Sequence, residues 1–313
     1  MTKEESHTVI NKLSGISAEL AEIRSDMEGL SKNAAICNEE NFNKRAEASD
    51  FLEFHIIDRL DSLRPKTAEV TALKDRAEKL KTQLDEIDSK LFKKIRAGIR
   101  AGQYSGAYFK NLVSKYFDLN AADKRDEPDY DNLDIFINRL LTAEPPPRET
   151  RKLEPEMVFY QKTPARVIFE LAEKVNFGID DVFFDIGSGL GQAVMLVNLA
   201  TGIKAVGVEF EPAFCDYAKR AATELDLNRV TFINTDARDA DYSKGTVFFM
   251  YTPFKGEILK DVLELLRKEA LNRKISIITY GPCTAAVVLQ RWLKPDRTVI
   301  GNIYEAAVFT AAP

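Results

Sequence analysis

The sequence predicts an α/β fold: a doubly wound, seven-stranded, Rossmann-like sheet in residues 150–313. An all-α helical-bundle or coiled-coil region in residues 1–149 precedes it. Three observations predict this. From residue 181 onward short apolar runs alternate with helix-like stripes, the pattern of a parallel sheet covered on both faces. Two heptad-spaced seams dominate the N-terminal third. Between the two textures lies AEPPPRE (143–149), a polyproline-like connector that reads as the domain boundary.

The first seam is Val9, Leu13, Ile16, Leu20, Ile23, Met27 and Leu30, with charged residues outside it. The second is Leu73, Ala77, Leu80, Leu84, Ile87, Leu91 and Ile95. Residues 42–64 carry Phe42, Phe51, Phe54, Ile57, Leu60 and Leu63, a third helix ending before Pro65. Two seams and a third helix can bury one another as an internal bundle. Alternatively they dimerise or dock a partner, although about three heptads is short for a free coil. The aromatic stretch 103–119 reads as interlayer packing. YDNLDIFINRLL (130–141) reads as one helical face.

In the C-terminal half, Thr163-Pro164 reads as a helix N-cap with proline at the first helical position. Five strands follow, at 181–184, 205–208, 230–233, 246–250 and 275–279. Helices lie between them at about 192–201, 212–225 and 258–270. Residues 283–292 read as helical, and 297–300 and 304–310 as two closing strands. The glycine or polar breaks after the strands all fall at one sheet edge, where doubly wound sheets bind ligands.

Composition narrows the function. The 313 residues are 45% hydrophobic, with net charge −5 and pI about 5.4. Nothing global points to nucleic acid or to an anionic membrane surface. Three cysteines and two histidines, scattered along the chain, predict neither a disulfide framework nor a metal site. No signal peptide or membrane-length apolar run is read, so the expectation is a cytoplasmic protein.

The chemistry centres on VFFDIGSGLGQ (182–192). A strand ends in Asp185, then Gly187, Gly189 and Gly191 precede a helix. Glycines permit positive φ and close approach of a ligand, and a helix N-terminus offers N–H groups. A dinucleotide fingerprint wants G-x-G-x-x-G; here the third glycine comes one residue early. An acid two residues before the first glycine also repels a pyrophosphate and suits a cationic cofactor.

DIGSGLGQ followed by GVE resembles motif I and the second-strand acid of class I S-adenosylmethionine-dependent methyltransferases. More narrowly, VFFDIGSGLGQAVM…VGVE resembles the non-SET histone lysine methyltransferases, the disruptor-of-telomeric-silencing family. The resemblance covers roughly residues 155–313. It implies S-adenosyl-L-methionine as cofactor, with Asp185 and the Gly187–Gly191 backbone at its methionine part and Glu209 on the ribose hydroxyls. It further implies Asp236 with the Ala237 N–H at the adenine edge, Phe210 over the adenine face, and Tyr160, Thr163 and Pro164 closing over the cofactor. At the loop after the fourth strand this chain reads YTPF, where the family's eukaryotic members have an asparagine-rich segment.

The predicted catalytic group is Tyr251, Thr252 and Phe254. The Tyr251 hydroxyl and the Thr252 carbonyl would orient an amine, and the Phe254 ring would wall the methyl channel. Tyr280 ends the next strand and is placed in the same cavity. The acceptor expected is a nitrogen nucleophile, a protein lysine among the candidates, and the N-terminal helices would bind it, a partner or a second copy. Two other functions remain open: a non-catalytic coiled-coil adaptor with a vestigial fold, and a nicotinamide-dependent oxidoreductase.

Overall fold

The computed structural model describes residues 3–119, 130–296, 302–311 and 313, with side chains from residue 15 onward. The chain divides into two compact units, Met1–Lys94 and Ile95–Pro313.

The first unit is a helical bundle. Helix α1 spans Lys3–Lys32, and a short 3-10 turn, Ala34–Cys37, follows it. Next come α2 (Phe42–Asp50), a π-helical segment (Phe51–Ile57) and α3 (Asp58–Ser62), head to tail where one helix was expected. Helix α4 (Ala68–Arg100) contains the second seam. Leu20, Ile23 and Met27 of α1 share one core with Leu52, Ile56, Leu60, Leu73, Ala77 and Leu84. The two seams therefore satisfy each other within one chain. Val9 and Leu13 have side chains outside the described residues. A buried ion pair, Arg45 Nε to Asp88 Oδ1 at 2.6 Å, also lies in this unit. The Arg45 guanidinium further donates to the Asn38 and Glu39 carbonyls.

The second unit begins well before the polyproline connector. Helices α5 (Ala107–Val113) and α6 (Asn132–Leu141) bury Phe109, Val113, Phe136, Ile137 and Leu140 completely. Phe109 stacks on Phe169 of α7 (Ala165–Lys174) at 6.2 Å. These aromatic faces belong to the sheet's outer layer, so the contact boundary falls at 94/95 and not at 149/150. The connector itself lies along the sheet unit: the Glu144 carbonyl accepts from Tyr217 Oη at 3.0 Å and its carboxylate pairs with Arg220.

The sheet has seven strands in the order β3-β2-β1-β4-β5-β7-β6. They are β1 (Val182–Ile186), β2 (Lys204–Glu209), β3 (Val230–Asn234), β4 (Val247–Tyr251), β5 (Ile275–Tyr280), β6 (Lys294–Pro295) and β7 (Ala307–Ala311). The first five pair in parallel; β7 runs antiparallel to β5 and to β6. Helices α8 (Gln192–Thr201), α9 (Pro212–Glu224) and α10 (Gly256–Ala270) make the crossovers. Chain order reverses between β1 and β4, which sets the ligand crevice at their carboxyl ends.

Two expectations change in detail and a third lies outside the described residues. Helix α11 covers only Thr284–Val288, not 283–292. The strand expected at 297–300 lies outside the described residues, and the short β6 precedes it. Pro164 occupies the N-cap position of α7 with no side-chain cap of its own. The cap comes instead from Asp134, whose Oδ1 accepts from Ala165 N at 2.8 Å. Proline has no N–H, so the first donor to satisfy is that of Ala165.

Candidate functional site

A cleft of about 970 Å³ opens at the carboxyl ends of β1, β2 and β4. Tyr160, Thr163, Asp185, Gly187, Glu209, Phe210, Asp236, Ala237, Tyr251, Thr252 and Phe254 all line it. The structure thus brings together residues drawn from nearly a hundred positions of sequence. Gly189 and Gly191 lie just behind this lining.

The glycine loop is folded inward. Gly187, Gly189 and Gly191 take φ of +82°, +51° and +79°, where glycine is at ease. Each also makes room: a Cβ on Gly187 would meet Pro253 Cβ at 2.4 Å, and one on Gly189 the Tyr160 ring at 2.1 Å. A Cβ on Gly191 would meet Phe232 at 2.5 Å. Four of the loop's N–H groups are spent inside the protein. Gly187 and Ser188 donate to the Val208 carbonyl, Gly189 to Glu209 Oε2 at 2.6 Å, and Gly191 to the Ser188 carbonyl. This loop is therefore no phosphate cradle, which requires outward N–H groups.

What faces the cleft is the acid. Asp185 is buried and makes no hydrogen bond or ion pair among the described residues. Burial, reinforced by the nearby Glu209 charge, pushes its pKa up to about 8. Glu209 is also buried, and burial raises its pKa, but its oxygens accept from Gly189 N and from Glu211 N at 2.7 Å. Each oxygen retains a second lone pair. Ser188 Oγ, Gln192 Oε1 and Tyr251 Oη are buried with no partner among the described residues. A cationic, hydroxyl-bearing ligand fits this donor set: it would answer Asp185 and use the free acceptors.

Residues 150–163 form a strap across the strand ends. Glu211, the N-cap of α9, accepts from Thr150 N, Arg151 N, Ala213 N and the Thr150 hydroxyl. Burial opposes ionisation of Glu211, but these four bonds outweigh it and hold the pKa at about 2. The Glu156 carboxylate accepts from Ile258 N at the start of α10. Met157 bridges to Phe254, and Val158 N donates to the Pro253 carbonyl. Tyr160 then lies over Gly189, its ring 5.3 Å from that of Phe214. Gln192 Nε2 donates to the Thr163 carbonyl at 3.4 Å.

Three predicted residues also make contacts that the sequence did not suggest. Asp236 is paired with Arg238, through Nε at 2.9 Å and a terminal guanidinium nitrogen at 2.7 Å, and this lowers its pKa. Arg238 also reaches Glu154 on the strap. The Thr252 side chain points toward β5: its hydroxyl donates to the Tyr280 carbonyl at 3.0 Å and accepts from Cys283 N at 3.1 Å. Phe254 is core, packed with Ile258 and Val262 as well as touching the cleft. Phe210 carries the Arg151 guanidinium 5.0 Å from its ring.

The β4–β5 side is a tyrosine cluster. Tyr251 meets Tyr280 edge-on at 4.7 Å, and Tyr280 meets Tyr304 at 6.1 Å. Burial raises the Tyr251 pKa, so the phenol stays protonated at neutral pH. Tyr130 lies beside it but gives its own proton to the Lys162 carbonyl at 2.5 Å. Cys283 is buried and its thiol is pushed up by burial, the opposite of activation. Among the described residues no group of three or more His, Cys, Asp or Glu side chains could hold a metal ion, and no helix is long and apolar enough to cross a membrane.

Sequence reasoning missed Ser188, Glu211 and Tyr130. Ser188 sits inside the glycine motif, and Glu211 one residue before a helix-opening proline, so both carried a local signal. Tyr130 carried none, because only the tertiary fold brings it beside the Tyr251 side chain.

Residues 155–263 match the family model described as "Histone methylation protein DOT1". A curated relative is the H3 lysine-79 specific histone-lysine N-methyltransferase of Dictyostelium discoideum. It is 30% identical over 103 residues, which cover 28% of this chain and 6% of that protein. The chain therefore spans only a small fraction of that relative's length. Among solved structures, an RNA methyltransferase from Salinibacter ruber with S-adenosyl-L-homocysteine is 25% identical, covering 48% of this chain and 92% of that one at TM-score 0.40. A methyltransferase from Geobacter sulfurreducens, also with S-adenosyl-L-homocysteine, is 25% identical, covering 36% and 47% at TM-score 0.31. In residues 155–263 the chain thus resembles the DOT1 family.

Proposed function

We propose that this chain is an S-adenosylmethionine-dependent methyltransferase whose acceptor is an amine nitrogen, in the first instance a lysine of a protein. One observation carries the cofactor reading. An acid without a partner among the described residues stands where a dinucleotide would need outward N–H groups, and those of Gly187, Ser188, Gly189 and Gly191 are turned inward. Bound there, S-adenosylmethionine supplies an electrophilic methyl group on a sulfonium. Asp185 would face its cationic end and Glu209 its ribose, while Phe210, Asp236 and Ala237 flank the base. The Tyr160 ring and the strap exclude water from above.

On the acceptor side, Tyr251 presents a neutral phenol oxygen that can accept from, and so orient, an amine. Its raised pKa rules it out as a proton-abstracting base at neutral pH, so the amine must arrive neutral or lose its proton to water. Alignment is then the main contribution. The lysine reading is supported by the family match and by the aromatic walls, since tyrosine faces suit a methylated ammonium. The inward N–H groups argue against the nicotinamide alternative, and the intact acids argue against a vestigial site.

The test is incubation of the chain with methyl-labelled S-adenosylmethionine, supplied separately with core histones, nucleosomes, total cell protein and RNA. Label recovered as methyl-lysine is expected. Label only in RNA or small molecules would overturn the lysine assignment, and no S-adenosylmethionine binding in a titration would overturn the enzyme.

A further inference from the structure

A second cavity, of about 310 Å³, is also lined by Tyr160. Its walls are mostly apolar and include Leu141, Pro145, Pro146, Leu190, Met195 and Tyr217. Tyr160 and Gln192 line both cavities, so the phenol ring is a shared wall. The acid that lines it, Glu144, is taken by Arg220.

The distinctive group here is Lys162. Its side chain is half-buried and has no hydrogen bond or ion pair among the described residues. Burial lowers its pKa, opposed only by the charge of Asp134. The Asp134 carboxylate is already committed to the Ala165 and Asp131 N–H groups. A cation removed from water without a partner is costly, and an anion placed beside it recovers that cost. Apolar walls with one unanswered cation call for an amphipathic anion, and the volume suits a small molecule.

We propose that this cavity binds a small amphipathic carboxylate. Its chain would lie against Leu190, Met195 and Pro146, and its carboxylate against the Lys162 ammonium. Occupancy would brace Tyr160 over Gly189 and so favour the closed strap. The coupling to cofactor rests on the reading of the first cleft; the binding itself does not.

The experiment titrates the full chain calorimetrically with octanoate and with 1-octanol, then repeats both with Lys162→Met. Octanoate should bind, and octanol about tenfold more weakly, the scale of one lost charge-assisted contact. Lys162→Met should weaken octanoate about tenfold and leave octanol unchanged. Octanol binding as well as octanoate in the unaltered chain would overturn the proposal, as would displacement of octanoate by S-adenosylmethionine or no octanoate binding. Saturating octanoate should tighten S-adenosylmethionine binding about threefold, and by linkage the reverse. A chain that binds octanoate through Lys162 but no S-adenosylmethionine would sink the cofactor reading and its coupling while upholding the cavity.

Discussion

The β1–β2 side of the cleft is built from acids and glycines, and the β4–β5 side from tyrosines held by one threonine. On the first side the N–H groups of Gly187, Ser188, Gly189 and Gly191 are spent internally, and Asp185 stands beside them with no partner among the described residues. On the second side the Tyr251 hydroxyl is the unsatisfied group, and the surrounding rings carry no charge. A rigid, charged half suits a fixed cofactor; a neutral, aromatic half suits an acceptor that comes and goes. The acids themselves repeat the lesson. Glu211, with four donors, is held at about 2, whereas Asp185, with none, is pushed up to about 8. Hydrogen bonds to the ionised form, and not burial alone, decide which of the two is poised for a cation.

The largest effect should come from the first half. Gly189→Ala puts a Cβ 2.1 Å from the Tyr160 ring at a residue with φ +51°. Clash and left-handed strain together cost about 3 kcal/mol, so S-adenosylmethionine affinity should fall roughly a hundredfold. Calorimetry reads this directly; wild-type affinity would show that Tyr160 swings away freely. Glu209→Ala comes next. It removes two free acceptor positions and strands the Gly189 and Glu211 donors, for a loss of roughly 1–3 kcal/mol in cofactor binding. Glu209→Gln keeps one acceptor oxygen and should lose less. Equal affinity in all three proteins would remove Glu209 from the ribose role.

The asymmetry also explains what was legible in the sequence. Strands β1, β2, β4 and β5 were read to within a residue or two, because buried parallel strands are continuous apolar runs. Asp185, the glycines and Glu209 were readable because steric and electrostatic demands fall on single residues next to each other. Thr163 was read as the N-cap of α7, but the cap comes from Asp134, which accepts from Ala165 N thirty-one positions later in the chain. Thr252 was read for its carbonyl, while the tie that its hydroxyl makes between two loops was not legible, and Tyr130 was invisible. Such roles exist only between segments distant in sequence. In the helical unit the seams were plain, while the Arg45–Asp88 pair was not, since a charge at a buried helix position looks like any other charge until its partner is seen.

Asp185 gives a prediction with a definite sign. The folded, ligand-free protein holds the Asp185 proton up to about pH 8, and the unfolded chain releases it near the ordinary 3.8. Its contribution to stability therefore falls as pH rises between about 4 and 8. A cationic cofactor requires the carboxylate, so binding at pH 7 should expel about one proton and cost about 1.4 kcal/mol that disappears above pH 8. Calorimetry in buffers of different ionisation enthalpy counts that proton. Asp185→Asn should release none from this position. A wild-type count of zero would mean that Asp185 is already ionised, and the contrast with Glu211 would collapse.

The smallest effect tests whether the two halves are independent. The Thr252 hydroxyl makes two hydrogen bonds, to the Tyr280 carbonyl and from Cys283 N, and fixes a loop whose backbone sits at φ +40°. Those bonds set the Tyr251 ring edge-on against Tyr280 without touching the β1–β2 side. Thr252→Val keeps the shape and removes both bonds, each worth about 0.5–1.5 kcal/mol. Thr252→Ser keeps the bonds. Valine should therefore lower kcat/KM for the acceptor several-fold while cofactor affinity stays unchanged, and serine should restore it. A valine variant that lost cofactor affinity in the same proportion would show that the halves move as one body. The aromatic side would then belong to the cofactor site, and the acceptor would have to be sought elsewhere on the cleft.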